Sequence, residues 1–376
     1  MPPLVFLLAS AVFAQGTSEF MLAGLLTDIA TDLPTTVPRA GMLTSAFALG
    51  MVVGAPVMAV ATRRLPPRAA LSTFLAAFIA MHVIGATTTS YPVLFASRVL
   101  AAFANAGFLA LTLAMVAALV TPDRLSRAVA TILAGTTLAL VLGVPAGTLV
   151  GALLGWRAAL WGVALLSVPA LVAVTIAAPA TQGRREAGSL TTEFAVLRRR
   201  PLFRVLALCV LVNGATFCSF TYLAPVVTER AKLQTAMVPV VLALFGLGAL
   251  AGVWAAGRFG DRYATRLVPL SGAALLVGWC LFALLAQYPI TVIVLAFVQG
   301  GLSFALGSTL VSRVMRNSAG APTMSGAFAT AGLNIGAATG PALGGLVYGS
   351  ALGAVGPLAA SAVLLAIALV VAVLLT

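Results

Sequence analysis

Residues 128–156 read AVATILAGTTLALVLGVPAGTLVGALLGW, and no charged side chain interrupts them. A transmembrane helix needs about 20 mostly apolar residues, so this stretch is long enough to cross a bilayer. Gly135, Ala139, Gly143, Gly147 and Gly151 recur at every fourth position. That spacing predicts one small-residue stripe along a helix, the pattern that lets helix backbones approach closely in lipid. Pro145 sits inside the stripe, where the loss of a backbone hydrogen bond permits bending.

Working outward, runs of the same kind cover 1–27, broken only by Glu19, then 41–62, 158–183, 205–228 and 233–257. The stretch 69–122 holds one charge, Arg98, and breaks at Thr87-Thr88-Thr89-Ser90-Tyr91-Pro92; a proline ends helices and restricts its predecessor. The stretch 267–312 breaks at Gln287-Tyr288-Pro289, and 317–376 breaks between Gly349 and Pro357. Each of these three holds a pair of helices. The expected fold is an all-α integral membrane protein of twelve transmembrane helices. The opening residues Met1 to Gly16 have the look of a signal peptide, but they lack a positive leading region and the apolar run continues to Leu26. A retained first helix is expected.

Composition excludes the alternatives. Of 376 residues, 61% are hydrophobic and 8% charged, against about 25% charged in soluble domains. A net charge of +13 in a soluble protein points to nucleic acid, but here the basic residues are scattered between apolar runs, so the bilayer surface is their expected partner and nucleic acid is not. Cys209, Cys218 and Cys280 lie in apolar runs without metal-ligand spacing and read as buried packing residues.

Basic residues also orient the chain. One set of alternate loops carries Arg63, Arg64 and Arg68, Arg124 and Arg127, the cluster from Arg184 to Arg204, Arg258, Arg262 and Arg266, and Arg313 and Arg316. The opposite set carries only Arg39, Arg157, Arg230 and Lys232. The rich side is predicted to be cytoplasmic, and with an even number of spans both termini follow it. The longest polar stretch, 181–204, then divides an N-terminal six-helix bundle, 1–180, from a C-terminal one, 205–376. Matching features recur between the halves at a near-constant offset: Gly16 with Gly214, Arg63 with Arg262, Pro145 with Pro341. Such a shift indicates an internal repeat. The second half has its own stripe at Gly332, Gly336, Gly340 and Gly344, with Pro341 inside it.

These residues resemble the major facilitator superfamily, and within it the twelve-helix drug:proton antiporters. Gly143-Val144-Pro145-Ala146-Gly147, then Gly151 and Gly155-Trp156-Arg157, is similar to the antiporter motif of helix five, with Gly340, Pro341 and Gly344 as its repeat counterpart. Gly257-Arg258-Phe259-Gly260-Asp261-Arg262, with Arg266, resembles the cytoplasmic loop signature, here between helices eight and nine. The equivalent loop between helices two and three keeps Gly54, Arg63 and Arg68 but has Thr62 in place of the aspartate. Leu94-Phe95-Ala96-Ser97-Arg98 resembles the start of the helix-four motif, although Ala101 replaces its glutamine. Phe13-Ala14-Gln15-Gly16-Thr17-Ser18-Glu19-Phe20-Met21 is similar to helix one of actinobacterial chloramphenicol-resistance exporters. The resemblance implies a plasma-membrane antiporter, monomeric and without a cofactor, that exports a small drug of the phenicol type in exchange for protons. Sugar or arabinose-type exporters share the helix-five motif and are the alternative.

Glu19 is the only acidic residue inside an apolar span, and an ionisable group at membrane depth is a functional candidate by default. Its repeat counterpart is Phe217, so the scaffold does not require a carboxylate there. Glu19 and Arg98 are the expected proton-coupling pair, although Arg98 reads equally well as a pin for loops at the outer end of helix four. Gln15, one turn before Glu19, faces the same way. His82 reads as a packed neutral ring with no partner visible in the sequence. The resemblance places helices one, four, seven and ten around a central cavity, which makes Gln15, Asn105, Asn213, Phe217, Phe220, Gln299 and Ser303 the candidate substrate residues. A few polar anchors among aromatics suit a small, uncharged, partly apolar ligand. An intramembrane enzyme finds no GxSxG, HExxH or GxxxxGK sequence in support, so no enzymatic activity is expected. A non-transporting sensor is the other alternative, one that calls for a sizeable soluble domain.

Overall fold

The computed structural model describes residues 3–22, 25–35, 37–178, 190–234 and 236–374, and among them every regular element is helical. In lipid a helix satisfies all its backbone hydrogen bonds internally, so the apolar runs have few alternatives. The helices are α1 (Pro3–Met21), α2 (Leu26–Asp32), α3 (Val37–Ala61), α4 (Pro67–Thr87), α5 (Tyr91–Leu119), α6 (Leu125–Leu138), α7 (Val144–Leu154), α8 (Trp156–Ala177), α9 (Leu190–Ala195), α10 (Arg200–Thr221), α11 (Leu223–Pro225), α12 (Met237–Leu285), α13 (Pro289–Asn317), α14 (Ser325–Tyr348) and α15 (Gly356–Leu374). Eleven segments among the described residues are long and apolar enough to cross a membrane. α14 has the length as well, but its glycines, Asn334 and Pro341 dilute its apolar character. This accords with the twelve spans expected.

Four details differ from the sequence expectation. The first run is not one helix to residue 27: α1 ends at Met21 and α2 starts at Leu26. The expected loop between spans eight and nine is helical, because α12 runs unbroken through Gly257 to Arg266. That segment has no proline, and its arginines are good helix formers. The side chains of Asp261, Arg262 and Arg266 lie outside the described residues. Span five is interrupted by a π-turn, Ala139–Gly143, between α6 and α7. Cys280 is exposed on the outside of α12, whereas Cys209 and Cys218 are buried. Within the polar stretch 181–204, residues 181–189 lie outside the described residues.

The chain groups into two compact units, one of Met1–Leu119, Thr131–Val196 and Ser318–Ala331, the other of Val120–Ala130, Leu197–Asn317 and Gly332–Thr376. In the first, α5 packs against α3 and α4, and α8 against α4 and α1. In the second, α12 folds back along α13, and α10 packs on α13 and α15. Leu149, Leu153, Leu154 and Leu346 stand exposed, an apolar surface of the sort that hydrocarbon covers.

The glycine stripes are where helices meet most closely. In the first unit the stripe of α6 and α7 lies along α1. A β-carbon on Gly147 would stand 2.9 Å from Met21 Cβ, one on Gly143 2.9 Å from Thr17 Cβ, and one on Gly16 3.0 Å from Ala139 Cβ. The second unit repeats the arrangement with α14 along α10. There, β-carbons on Gly336 and Gly344 would meet the Gly214 nitrogen at 2.8 Å and the Cys218 carbonyl at 2.9 Å. Gly16 and Gly214, paired by sequence offset, thus hold equivalent places.

Candidate functional site

Arg98 and Glu193 are the charged side chains buried among the described residues. Arg98 comes from α5, next to a residue that α4 approaches closely: a β-carbon on Gly85 would lie 3.2 Å from Ser97 Oγ. That approach brings His82 of α4 alongside. Arg98 donates through one terminal nitrogen to Ser18 Oγ at 2.8 Å and stands 3.1 Å from His82 Nε2. Its other terminal nitrogen donates to the Ser18 carbonyl at 3.0 Å, one of the last four carbonyls of α1 and so a natural cation acceptor. The Phe47 ring covers the guanidinium at 4.6 Å, a cation–π contact of about 2 kcal/mol when desolvated. None of these bonds goes to a loop.

Glu19 follows Ser18 and is half-buried. No ion pair joins it to Arg98 among the described residues, but the two lie close enough for the Arg98 charge to act on it. Gln15, one turn earlier, is fully buried, and neither amide atom has a partner. An unsatisfied buried amide costs about 1–3 kcal/mol, so its retention needs an explanation. Asn105, two turns beyond Arg98 on α5, is buried as well. The structure thus brings Gln15, Glu19 and Arg98 to one end of α1.

In the second unit the candidate residues divide. Phe217 and Phe220 of α10 are half-buried and meet edge to face, with centroids 6.1 Å apart. Phe220 continues onto Phe245 of α12 at 4.9 Å, and Phe245 onto Phe304 of α13 at 6.4 Å. Asn213 and Gln299 each engage a neighbouring helix. Asn213 Nδ2 donates to the Leu333 carbonyl at 2.7 Å, and Gln299 Nε2 to the Leu275 carbonyl at 3.1 Å. Gln299 Oε1 and the buried Ser303 hydroxyl have no partner. A cavity of about 410 Å³ opens in this unit among Leu208, Val212, Leu306 and Leu310, with Arg204 and Arg313 in its walls. None of the candidate substrate residues lines it.

The antiporter-like motif has a physical reading. Pro145 lacks an N–H and its ring crowds the carbonyl four residues back, and the helix takes up the missing bond in the π-turn just before it. Single π-turns within helices are common at functional sites. Pro341, by contrast, lies in an uninterrupted α-helix, and its carbonyl accepts from the Tyr222 hydroxyl at 3.2 Å. Gly155 has a φ of +85°, which only glycine adopts readily. It turns the chain so that Trp156 and Arg157 reach Asp32: Trp156 Nε1 donates at 3.2 Å, Arg157 forms an ion pair with the same carboxylate, and Arg157 also donates to the Thr88 carbonyl at 2.9 Å. Gly257 lets α12 approach α6, where a β-carbon would meet Ala130 Cβ at 2.8 Å.

Sequence reasoning missed Ser18, Asp32 and Glu193, and saw no partner for His82. Glu193 Oε2 accepts from the main-chain N–H groups of Thr323 and Met324 at 2.9 and 3.0 Å, just ahead of α14, where a carboxylate is favoured by the helix dipole. No local signal marks such partners, since they come from remote parts of the chain. Among the described residues no group of His, Cys, Asp and Glu is arranged to hold a metal ion.

A multi-pass helical membrane fold, with small-residue stripes around prolines and a buried arginine bonded to the end of the first helix, defines a membrane transporter. The sequence profile of the Major Facilitator Superfamily matches residues 8–332, and the chain belongs to that family. It is 53% identical to the "Chloramphenicol resistance protein" of Streptomyces lividans, over 99% of this chain and 96% of that one. It is 34% identical to the "Inner membrane transport protein YdhP" of Escherichia coli K12, over 92% of this chain and 89% of that one. Among solved structures, the outward conformation of the transporter FucP superposes with a TM-score of 0.79 at 12% identity, covering 100% of this chain and 99% of that one, which supports the fold.

Proposed function

We propose that this chain exports phenicol-type drugs across the plasma membrane in exchange for protons, by alternating access, as a monomer that performs no enzymatic chemistry. The observation that carries the reading is Gln15, buried with both amide atoms unpartnered one turn before the only carboxylate within an apolar span, on a chain 53% identical to a chloramphenicol resistance protein. A phenicol carries hydroxyl and amide groups and an aromatic ring. Gln15 and Asn105 are the proposed hydrogen-bonding residues, and Phe217 and Phe220 the proposed aromatic ones, since edge-to-face ring contacts are worth about 0.5–1.5 kcal/mol beyond burial. Glu19 carries the exchanged proton beside Arg98. The stripes at Gly143, Gly147 and Gly151 and at Gly340 and Gly344 are the surfaces on which helices shift, with Pro145 and Pro341 as bending points. Two six-helix halves, 1–180 and 205–376, joined by 181–204, form the moving bodies.

Expression in a drug-sensitive host tests the substrate. The minimum inhibitory concentration of chloramphenicol is expected to rise severalfold over an empty vector, with tetracycline sensitivity and sugar efflux unchanged; unchanged chloramphenicol sensitivity with raised arabinose efflux overturns the assignment.

The distribution of arginines supports a cytoplasmic side for both termini and for the 181–204 segment. In a cysteine-free background, a cysteine at Lys232, which is exposed, is expected to react with an impermeant maleimide in intact cells, and one at Arg185 only after lysis. The reverse pattern inverts the topology.

A further inference from the structure

We propose that Ser18 and His82 are positioning residues that lock the Arg98 guanidinium to the end of α1, so that Arg98 stays beside Glu19 throughout the transport cycle. This rests on the reading of Glu19 and Arg98 as the coupling pair, and adds to it a clamp and a fixed geometry.

The proton positions follow from the partners. His82 Nδ1 lies 2.7 Å from the Phe78 carbonyl, and a carbonyl only accepts, so Nδ1 carries the hydrogen. Nε2 of the neutral ring is then a lone pair. Two donors converge on it, Ser18 Oγ at 2.6 Å and Arg98 at 3.1 Å. The Ser18 hydroxyl donates to His82 and accepts from Arg98 at 2.8 Å, while the Ser18 carbonyl takes the second terminal nitrogen at 3.0 Å. An imidazolium in this place would turn an N–H towards both donors, so the cluster needs His82 as a neutral acceptor. The Phe78 ring packs on the imidazole with centroids 4.2 Å apart and holds it in orientation.

Two features make this a clamp rather than general packing. Ser18 binds Arg98 through main chain and side chain together, so α1 cannot rotate at this level without breaking charge-assisted bonds, which are about twice as strong as neutral ones. Ser18 is also the residue next to Glu19, which ties the position of the cation to that of the carboxylate. The charged groups facing the cluster are Arg98 from α5 and Glu19 from α1; α8 contributes Leu160 at this level, and its Arg157 is held at Asp32 and Thr88. With the cation held in place, the alternation that exchange requires falls to Glu19, by gaining and losing its proton, and not to withdrawal of Arg98.

The test uses the full chain in liposomes with an imposed pH difference and chloramphenicol as probe, comparing His82→Leu, His82→Gln, Ser18→Ala and Glu19→Gln. His82→Leu is expected to lower uphill accumulation at least tenfold and to displace the pH profile of exchange by about one unit or more, with drug binding within threefold of the parent. His82→Gln, whose amide oxygen restores an acceptor, is expected to return accumulation to within threefold, and Ser18→Ala to shift the profile in the same direction as His82→Leu. Monodisperse elution and an unchanged unfolding temperature identify folded variants. A parental pH profile in folded His82→Leu overturns the clamp, as does failure of folded His82→Gln to restore transport. If Glu19→Gln abolishes accumulation while His82→Leu behaves as parent, the clamp alone fails. If Glu19→Gln accumulates drug normally, the coupling reading fails and takes the clamp with it.

Discussion

Glu19→Gln is expected to abolish uphill drug accumulation while leaving insertion and drug binding intact. An ionisable side chain at the bilayer centre costs about 2.5–3.5 kcal/mol on insertion scales, so a chain whose spans hold one carboxylate retains it for a purpose. The structure leaves that carboxylate half-buried and outside any ion pair among the described residues, next to a cation committed to Ser18. Such a group can take up and release a proton without breaking a salt bridge each time. One pH unit across the membrane represents about 1.4 kcal/mol per proton, enough for a roughly tenfold drug gradient at one-for-one exchange. Parent protein in liposomes should therefore build a gradient of that order, and the Gln variant, of equal shape but unable to titrate, should reach a ratio of one. A Glu19→Gln protein that builds the parental gradient removes Glu19 from the coupling step.

Gly147→Leu is expected to stop transport by a different route. The position faces Met21 of α1, whose Cβ would lie 2.9 Å from the new β-carbon, and the rest of a leucine has nowhere to go without separating the two helices. Overpacking of tight interfaces costs about 1–3 kcal/mol, which displaces a two-state equilibrium by roughly 5–150-fold. Efflux is expected to fall at least tenfold with normal membrane content, and Gly147→Ala, whose methyl presses on Met21 Cβ at the root of that side chain, should lower it less than leucine does. Parental efflux by Gly147→Leu shows that this contact does not limit the cycle.

The spans were legible because lipid leaves few choices. A charge-free apolar run must become a helix, and the arginines of its flanks are too costly to bury. The breaks at Thr87 to Pro92 and at Gln287 to Pro289 appear where proline demanded them, as turns between α4 and α5 and between α12 and α13. The stripe at Gly143, Gly147 and Gly151 was visible for a related reason, since small residues at every fourth position have one geometric use in lipid. The sequence did not reveal the end of α1 at Met21 or the continuation of α12 through Gly257, because where a helix stops depends on weak local preferences that neighbouring helices readily override.

The chain's own pattern of apolar runs, prolines and arginines determined that it crosses a membrane many times, repeats itself, and keeps one carboxylate among its spans. Which helix the stripes face, and which groups meet Arg98, were decided only by tertiary structure. Ser18 is an ordinary serine by sequence and His82 an isolated histidine. They become partners of Arg98 because α1, α4 and α5 converge at one level, and a buried guanidinium must find acceptors wherever packing provides them. Asp32 with Arg157, and Glu193 with the start of α14, follow the same rule. Short-range patterns encode the elements, whereas a buried charge is satisfied by whatever the fold brings from distant parts of the chain.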